Sequence, residues 1–449
     1  MARVHMIGIG GVGMSAVGRL LAANGMTVEG CDTRESRITR ELRGQGIPVL
    51  IGHDPSHVGP ADWIIFSTAV SKDHPELQEA RRLKKRVLHR AEALSWILGR
   101  YHTSVGITGT HGKGTVSSMI VRILDEAGLK PSFAIGAYLL DYGTNARHKG
   151  RDFIVAELDE SDGSLMNTTP NIVLINNVEA DHLNYYRDYE HVVQTMASFL
   201  KNNTELQRAV VCGDDKGALK AARMSGVPFE TFGFTKGNTW RGECIHTSPE
   251  GSGFLLWKGD ELIGDFSISV PGRYNCLNAI GAASVTLGMG IRTDLVKKGL
   301  AGFSGLENRF SVVEAKGVWL VKDYISHPTG IRRVLEAARE FSPQRLIAVF
   351  KPYRYTMINY LKDEYATAFK DADITLITQM WDAGEKPIEG VDSHLIVKGI
   401  RRSGGDARFS GELPETLAQL RSLINKGDMV VFLGGPDLFE LADQLAQEF

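Results

Sequence analysis

The sequence predicts three α/β domains in a row, and three observations carry that prediction. The chain has 449 residues, too many for a single hydrophobic core and enough for three domains of about 150 residues each. Short apolar strand candidates alternate with helix-spaced segments along most of its length, the pattern of βαβ units on parallel sheets. That pattern restarts twice, near residue 100 and after "GLENRF" at 305–310. The expected domains are therefore 1–99, 100–304 and 305–449.

In the first domain, "VHMIGIG" (4–10) is a short apolar strand. A helix-spaced segment follows at 14–25 and stops at Gly25, a C-cap signal. Strands at 26–32 and 62–68 continue the alternation. A helix at 91–98 leads to Gly99, and a new strand at 104–108 opens the second domain. Its helix runs from about 115 to 127 and stops at Gly128; further buried strands are 152–158, 171–178 and 208–214. Residues 253–270 differ: two apolar runs flank Gly259-Asp260, which predicts an antiparallel hairpin attached to the parallel sheet. In the third domain the strands are 317–324, 345–350, 373–378 and 429–435.

Composition narrows the function classes. Hydrophobic residues make up 43% and charged residues 23%, as in ordinary globular proteins. The formal net charge is −2 with no long basic block, so no nucleic-acid partner is expected. The four cysteines, Cys31, Cys212, Cys244 and Cys276, lie far apart without a C-x-x-C pair. They predict free thiols in a reducing compartment, not a disulfide frame or a zinc site visible in the sequence. Residues 2–11 enter a strand and turn directly, without the basic start and long apolar core of a signal peptide. With no run of about 20 apolar residues, the expectation is a cytoplasmic protein with no membrane partner, as a monomer or homodimer.

Two glycine loops carry the chemistry. "GIGGVG" (8–13) fits G-x-G-x-x-G between a strand and a helix. Gly8 permits the tight turn, Gly10 lets backbone approach a pyrophosphate, and Gly13 allows close helix–strand packing. The helix N-terminus offers unpaired N–H groups and a positive dipole end. Asp32 follows 19 residues after Gly13, where a carboxylate reaches a ribose or base. These features define a Rossmann-like domain for a diphosphate-bearing ligand, either NAD or another nucleoside diphosphate. Ser67 and Thr68 fall at a strand C-terminus, either facing that ligand or capping locally.

"GITGTHGKGT" (106–115) is the second loop, a P-loop-like run of Gly109, Thr110, Gly112, Lys113, Gly114 and Thr115. Its backbone N–H groups cradle phosphates and Lys113 reaches the β- and γ-oxygens. Gly114 stands where the pattern places a serine or threonine whose hydroxyl holds Mg²⁺. Thr115 comes one residue later, turned by about 100° around the helix. Downstream, Glu157 ends a strand and suits a magnesium site, while His182 lies in a loop after another strand. Of "DESD" (159–162), at least two residues are expected to form a solvated acidic turn.

Nine stretches in order, including "GIGGVGMSAVG", "GITGTHGKGT", "AELDESDGS", "NNVEADHL", "VPGRYNCLNAIGAA", "LENRF" and "DYISHPTGI", give the chain a resemblance to the Mur ligases over nearly its whole length. Within that family it looks most like the alanine-adding branch. The resemblance implies a UDP-substrate-binding domain, a central ATP-binding domain and a Rossmann-like C-terminal domain that closes over nucleotide and amino acid. It also implies that a UDP-linked sugar carboxylate attacks the γ-phosphate of ATP. The acyl phosphate then yields to the amine of an amino acid. Carried over by motif, Gly10, Gly11, Gly13 and Asp32 would hold the UDP part, with Ser67 and Thr68 beside it. Lys113 would hold ATP phosphates, with Glu157, His182 and Thr115 at magnesium. Asn275 and Asn278 would meet adenine, Arg309 the γ-phosphate and Asp323 the ribose. His327 and Arg354 would line the amino-acid end.

The departures from that family's pattern cluster. Gly114 replaces a threonine in the loop, and Tyr274 a histidine before the adenine asparagine. Ile325, Ser326 and Gly330 interrupt the "D-Y-G-H-H-P-T-E-I" pattern, and Lys351, Tyr353 and Met357 replace Gln, His and Arg. Losing that arginine removes a bidentate partner for a carboxylate. Two further readings follow: a catalytically impaired nucleotide-binding relative, from Gly114 and Met357, and an NAD-dependent dehydrogenase, from the first glycine loop alone.

Overall fold

The computed structural model describes residues 2–448, and its three sheets give three α/β domains. The first sheet has five parallel strands in the order Val49–Ile51, Thr27–Asp32, Arg3–Ile7, Trp63–Phe66, Arg86–His89. The order reverses between Arg3–Ile7 and Trp63–Phe66, the switch point at which open α/β sheets take ligands. Along Arg3–Ile7 the side chains alternate between two cores, as a strand with a period of two requires. Val4 and Met6 pack with Val17, Leu20 and Leu21 of the Val12–Ala23 helix. Ile7 packs with Cys31, Val58, Ile64 and Leu77 on the opposite face.

The central sheet has ten strands, with Thr103–Thr108 between Ile172–Ile175 and Phe153–Glu157. The predicted turn at Gly259-Asp260 joins the antiparallel strands Gly251–Lys258 and Glu261–Ile268, and Gly259 takes φ +59°. A third ribbon strand, Trp240–Ser248, pairs on the other side of Gly251–Lys258. Its polar sequence, WRGECIHTS, hides it from a search for apolar runs, because only Trp240 and Gly242 are buried. The third sheet contains all four predicted strands, as Val318–Asp323, Leu346–Phe350, Ile374–Thr378 and Met429–Leu433. It adds Ala407–Gly411 at one edge and antiparallel Ser311–Ala315 at the other.

Polar contacts tie the three units together. Asn145 Nδ2 donates to Val12 O at 2.7 Å, joining the central sheet to the first helix. Arg37 pairs with Glu307 at 2.8 Å. Thr329 Oγ1 donates to Glu179 Oε2 at 2.6 Å, docking the third domain on the second. Among the described residues, no helix is long and apolar enough to cross a membrane.

Candidate active site

Two helix N-termini are left open by their sequences. Gly11 precedes Val12–Ala23 and Gly112 precedes Lys113–Glu126; neither offers a side-chain cap, and neither helix has an acidic residue in its first turn. By contrast Asp188, Asp215 and Asp392 cap their helices through carboxylate oxygens. An uncapped N-terminus leaves N–H donors and the positive end of the dipole for an anion.

In the first loop Gly8 takes φ +75°, and the Gly8 and Ile9 N–H groups donate to Cys31 O at 2.8 and 3.0 Å. Gly10 N donates to Asp32 Oδ2 at 2.9 Å. A Cβ on Gly10 would lie 2.7 Å from that oxygen, so the approach requires glycine. Gly13 faces Arg90, whose Nη1 would be 2.3 Å from a Cβ there. Arg90 crosses to the central domain and pairs with Asp159 at 2.8 Å. Thr68 Oγ1 donates to Asp162, so this member of the Ser67-Thr68 pair bridges two domains in place of a local cap.

The second loop leans on the next strand. Thr110 N donates to Asn177 O at 3.1 Å and His111 N to Asn177 Oδ1 at 2.7 Å. Asn176 Nδ2 donates to His111 O at 2.8 Å and to Asn278 Oδ1 at 3.0 Å. Gly109 and Gly112 take φ +131° and +79°. A Cβ on Gly112 would lie 2.4 Å from Asn176 Nδ2, so no other residue fits there. Lys113 Nζ donates to Gly109 O at 2.6 Å and pairs with Glu160 at 2.8 Å. Burial opposes the Lys113 charge, but the Glu160, Glu157 and Asp159 carboxylates outweigh it and hold the ammonium above the usual lysine range.

The acidic stretch is not a solvated turn. Asp159 holds Arg90, Glu160 is 2% exposed against Lys113, and Asp162 accepts from Thr68 and from Ser164 N at 2.9 Å. The reason is charge balance: a buried lysine and a domain-crossing arginine each need a carboxylate. The Arg90–Asp159 pair and the Lys113 ammonium together hold Asp159 well below the usual carboxylate range, against its burial. His182 sits 3.6 Å from Glu160 Oε1 with φ +55°, a left-handed backbone position that a non-glycine residue holds only under constraint. Glu157 accepts the Gly136 N–H at 2.9 Å.

From the third domain, Arg309 Nη1 donates to Tyr324 O at 2.5 Å and lies 3.7 Å from Asp323. Asn308 and Phe310 on either side both have positive φ, and Phe310 N donates to Asp323 Oδ2 at 2.9 Å. Burial raises the Asp323 carboxyl to about 6, against the pull of Arg309 and the Phe310 N–H. His327 caps the Pro328–Arg339 helix, 3.4 Å from Glu179, and its ring centroid lies 4.9 Å from that of His111 with the two planes tilted by 52°. Arg354, with φ +65°, donates to Asn184 of the central domain.

One cavity of about 1060 Å³ gathers these groups. Its walls include Gly13 and Arg90 from the first domain. The second contributes Thr110, Gly112, Lys113, Gly114, Thr115, Glu157, His182, Asn275 and Asn278, and the third Arg309, Asp323, His327 and Arg354. Gly10, Gly11, Asp32, Ser67, Thr68 and Gly109 are not among the lining residues. Asn275 and Asn278 are satisfied within the protein: Asn275 Nδ2 donates to Pro271 O at 2.7 Å, and Asn278 Nδ2 to Asn275 Oδ1 at 3.2 Å.

Sequence reasoning passed over Arg90, Asn176, Asn177, Glu160 and Glu179. Arg90 directly precedes the helix expected at 91–98 and the other four lie inside quoted motifs, but the role of each depends on a partner distant in sequence. Two departures from the family pattern are not among the residues that line the cavity. Met357 is buried in the third-domain core and Lys351 pairs with Asp437. Ile325 and Gly330 are one packing change, since a Cβ on Gly330 would lie 2.4 Å from Ile325 Cδ1.

Known proteins match along the whole chain. The family descriptions "Mur ligase family, catalytic domain", "Mur ligase middle domain" and "Mur ligase, glutamate ligase domain" match residues 3–102, 107–286 and 308–435. A UDP-N-acetylmuramate–L-alanine ligase from Geotalea daltonii is 36% identical over 99% of this chain and 98% of its own. One from Anaeromyxobacter is 35% identical over 99% and 97%. The crystal structure of a UDP-N-acetylmuramate-alanine ligase from Thermotoga maritima, 26% identical, superposes with a TM-score of 0.83 over 100% of this chain and 99% of that one.

Proposed function

The chain belongs to the Mur ligase family, and on that premise we propose that it is an ATP-dependent ligase that joins an amino acid to the carboxylate of UDP-N-acetylmuramate, or of a closely related UDP-sugar, in peptidoglycan precursor synthesis. The observation that carries this reading is the cavity in which the uncapped P-loop helix meets Gly13 and Arg90 of the first domain and the Arg309–Asp323 pair of the third. An NAD-dependent dehydrogenase would leave the P-loop and the third domain without a role.

The chemistry follows from the groups present. A carboxylate resists attack by an amine, and phosphorylation gives it a leaving group. The P-loop N–H groups and Lys113 hold the triphosphate, and Arg309 neutralises charge on the transferred phosphoryl. Asp323 suits ribose hydroxyls, and Asn275 and Asn278 offer amides to adenine once their mutual bonds exchange. Asp32 and the Gly10–Gly13 turn serve the uridine diphosphate, and Arg90 reaches from that turn toward the P-loop. His327 and Arg354, brought in by docking of the third domain, orient the amino acid.

The residues present fit a magnesium ion. Glu157 ends its strand beside the loop, 3.3 Å from the position a Gly114 Cβ would take, and His182 and Thr115 line the same cavity. A bound Mg²⁺ supplies charge neutralisation at the phosphates. Gly114 contributes no hydroxyl, so Glu157, His182 and Thr115 would hold the ion without a side-chain oxygen from position 114.

Ile325 fills the space beside Gly330 next to His327. This supports an amino-acid site whose choice differs from that of the L-alanine ligases it resembles. The test is ADP release from ATP and UDP-N-acetylmuramate across a panel of amino acids. Turnover dependent on both substrates is expected. Micromolar ATP binding with no turnover for any amino acid would favour the impaired nucleotide-binding relative.

A further inference from the structure

The first domain holds a second concentration of chemically active side chains, on the sheet face that carries Ile7 and next to the first glycine loop, whose Gly8 and Ile9 N–H groups donate to Cys31 O. His5 and Cys31 come from adjacent strands, His57 from the short Pro55–Val58 turn and Glu76 from the first turn of the Pro75–Arg82 helix. His5, Cys31 and Glu76 are 0% exposed. One ligand atom from each of the four lies within 4.8 Å of all the others. His5 Nε2 is 2.9 Å from Glu76 Oε2 and 3.5 Å from Cys31 Sγ. Cys31 Sγ is 3.2 Å from Glu76 Oε2, and His57 Nδ1 is 3.2 Å from Glu76 Oε1.

We propose that His5, Cys31, His57 and Glu76 form a four-coordinate site for a structural Zn²⁺ ion. In a tetrahedron with Zn–N and Zn–O near 2.0 Å and Zn–S near 2.3 Å, ligand atoms stand about 3.3–3.6 Å apart. His5 Nε2, Cys31 Sγ and Glu76 Oε2 stand 2.9–3.5 Å apart, close to those values, and His57 Nδ1 lies within 4.8 Å of the other ligand atoms. A thiolate, two imidazoles and one carboxylate select zinc over magnesium or calcium, which favour oxygen. Zinc binds Cys31 as the thiolate, so its proton leaves to solvent.

The polar contacts of the fully buried His5 ring all point into the cluster through Nε2. One further feature favours a metal over a plain hydrogen-bond hub. The apolar core on this face is small, seven buried residues around Ile7, Val58 and Leu77, the situation in which a metal clip adds stability. Outer contacts are in place: Asp54 N donates to Glu76 Oε1 at 3.0 Å, and His53 Nδ1 lies 3.2 Å from Cys31 Sγ. The ion would pin the strand end that carries Asp32, the residue after Cys31, and so stiffen the uridine end of the site.

The experiment is metal analysis of the full-length protein expressed with zinc and dialysed without chelator, paired with Co²⁺ substitution read by absorbance. About one zinc per chain is expected. Co²⁺ should give a sulfur-to-metal charge-transfer band that disappears in Cys31→Ser and persists in His111→Ala, which alters the separate His111–Glu179–His327 group. X-ray absorption of the zinc protein should show one sulfur neighbour at about 2.3 Å. A folded wild-type protein that retains no zinc after reconstitution, or a cobalt spectrum indifferent to Cys31→Ser, overturns the proposal.

Discussion

Restoring a hydroxyl at position 114 should tighten the magnesium site without disturbing the fold. A Cβ on Gly114 would lie 3.2 Å from Leu306 Cδ1, 3.3 Å from Glu157 Oε2 and 3.8 Å from Ile135 Cγ2. The two close atoms are ends of flexible side chains, so a shift of a few tenths of an ångström accommodates it. Gly114 sits in the first turn of a helix, where serine in place of glycine gains about 0.5 kcal/mol of propensity. Steric cost and propensity gain are of similar size, so the stability of Gly114→Ser should stay within about 1 kcal/mol of wild type. A serine hydroxyl at 114 would start from a Cβ 3.3 Å from Glu157 Oε2 and would offer a magnesium ion held there one more oxygen in place of water. Releasing one ordered water is worth up to about 2 kcal/mol, and a gain of about 1 kcal/mol lowers the Mg²⁺ concentration for half-maximal activity about fivefold. A coupled ADP-release assay across a magnesium titration reads this, with thermal unfolding as the control. An unchanged or raised magnesium requirement in a Gly114→Ser protein of normal stability would refute the assignment of Glu157 and its neighbours as the residues that would hold the metal.

Three other outcomes are expected. Because burial lifts Asp323 to about 6 and ribose hydroxyls donate to the ionised form, only about a tenth of the protein is competent at pH 5. ATP affinity by calorimetry should therefore weaken about tenfold between pH 7 and pH 5 in wild type, and Asp323→Asn should abolish that dependence. The same raised value means this group's contribution to fold stability is full below about pH 4 and declines as pH rises through 6. Lys113→Met leaves Glu160 buried without its partner and should cost about 3 kcal/mol in urea unfolding, with Glu160→Gln recovering part of the loss. Gly330→Glu alone should lower the melting temperature through its clash with Ile325; adding Ile325→Gly should restore stability and shift the amino-acid preference.

How much was legible in advance depended on the range of the interaction. Periodicity and turn residues are local, so the hairpin at Gly259-Asp260 and the four third-domain strands were readable. Trp240–Ser248 was not, because that strand is half-exposed and takes its stability from pairing with Gly251–Lys258. The glycine loops were readable because their backbone demands fix residue type, as at Gly10 and Gly112. The supporting groups were hidden. Nothing near Glu160 in the sequence marks it as the partner of Lys113, 47 positions away, nor joins Glu179 to Thr329 across 150 positions. Met357 misled for the opposite reason: an arginine-to-methionine change beside a site motif points at the substrate, while the fold directs that side chain into the core.

The central claim is that a substrate carboxylate and ATP meet in one cavity and pass through an acyl phosphate before the amide forms. UDP-N-acetylmuramate labelled with a heavy oxygen isotope in its carboxylate tests this directly, by mass spectrometry of the phosphate released on turnover. Transfer of one labelled oxygen to phosphate per amide formed is the predicted result. Unlabelled phosphate accompanying amide formation, or ATP hydrolysis that proceeds equally well without the UDP-sugar, would contradict it.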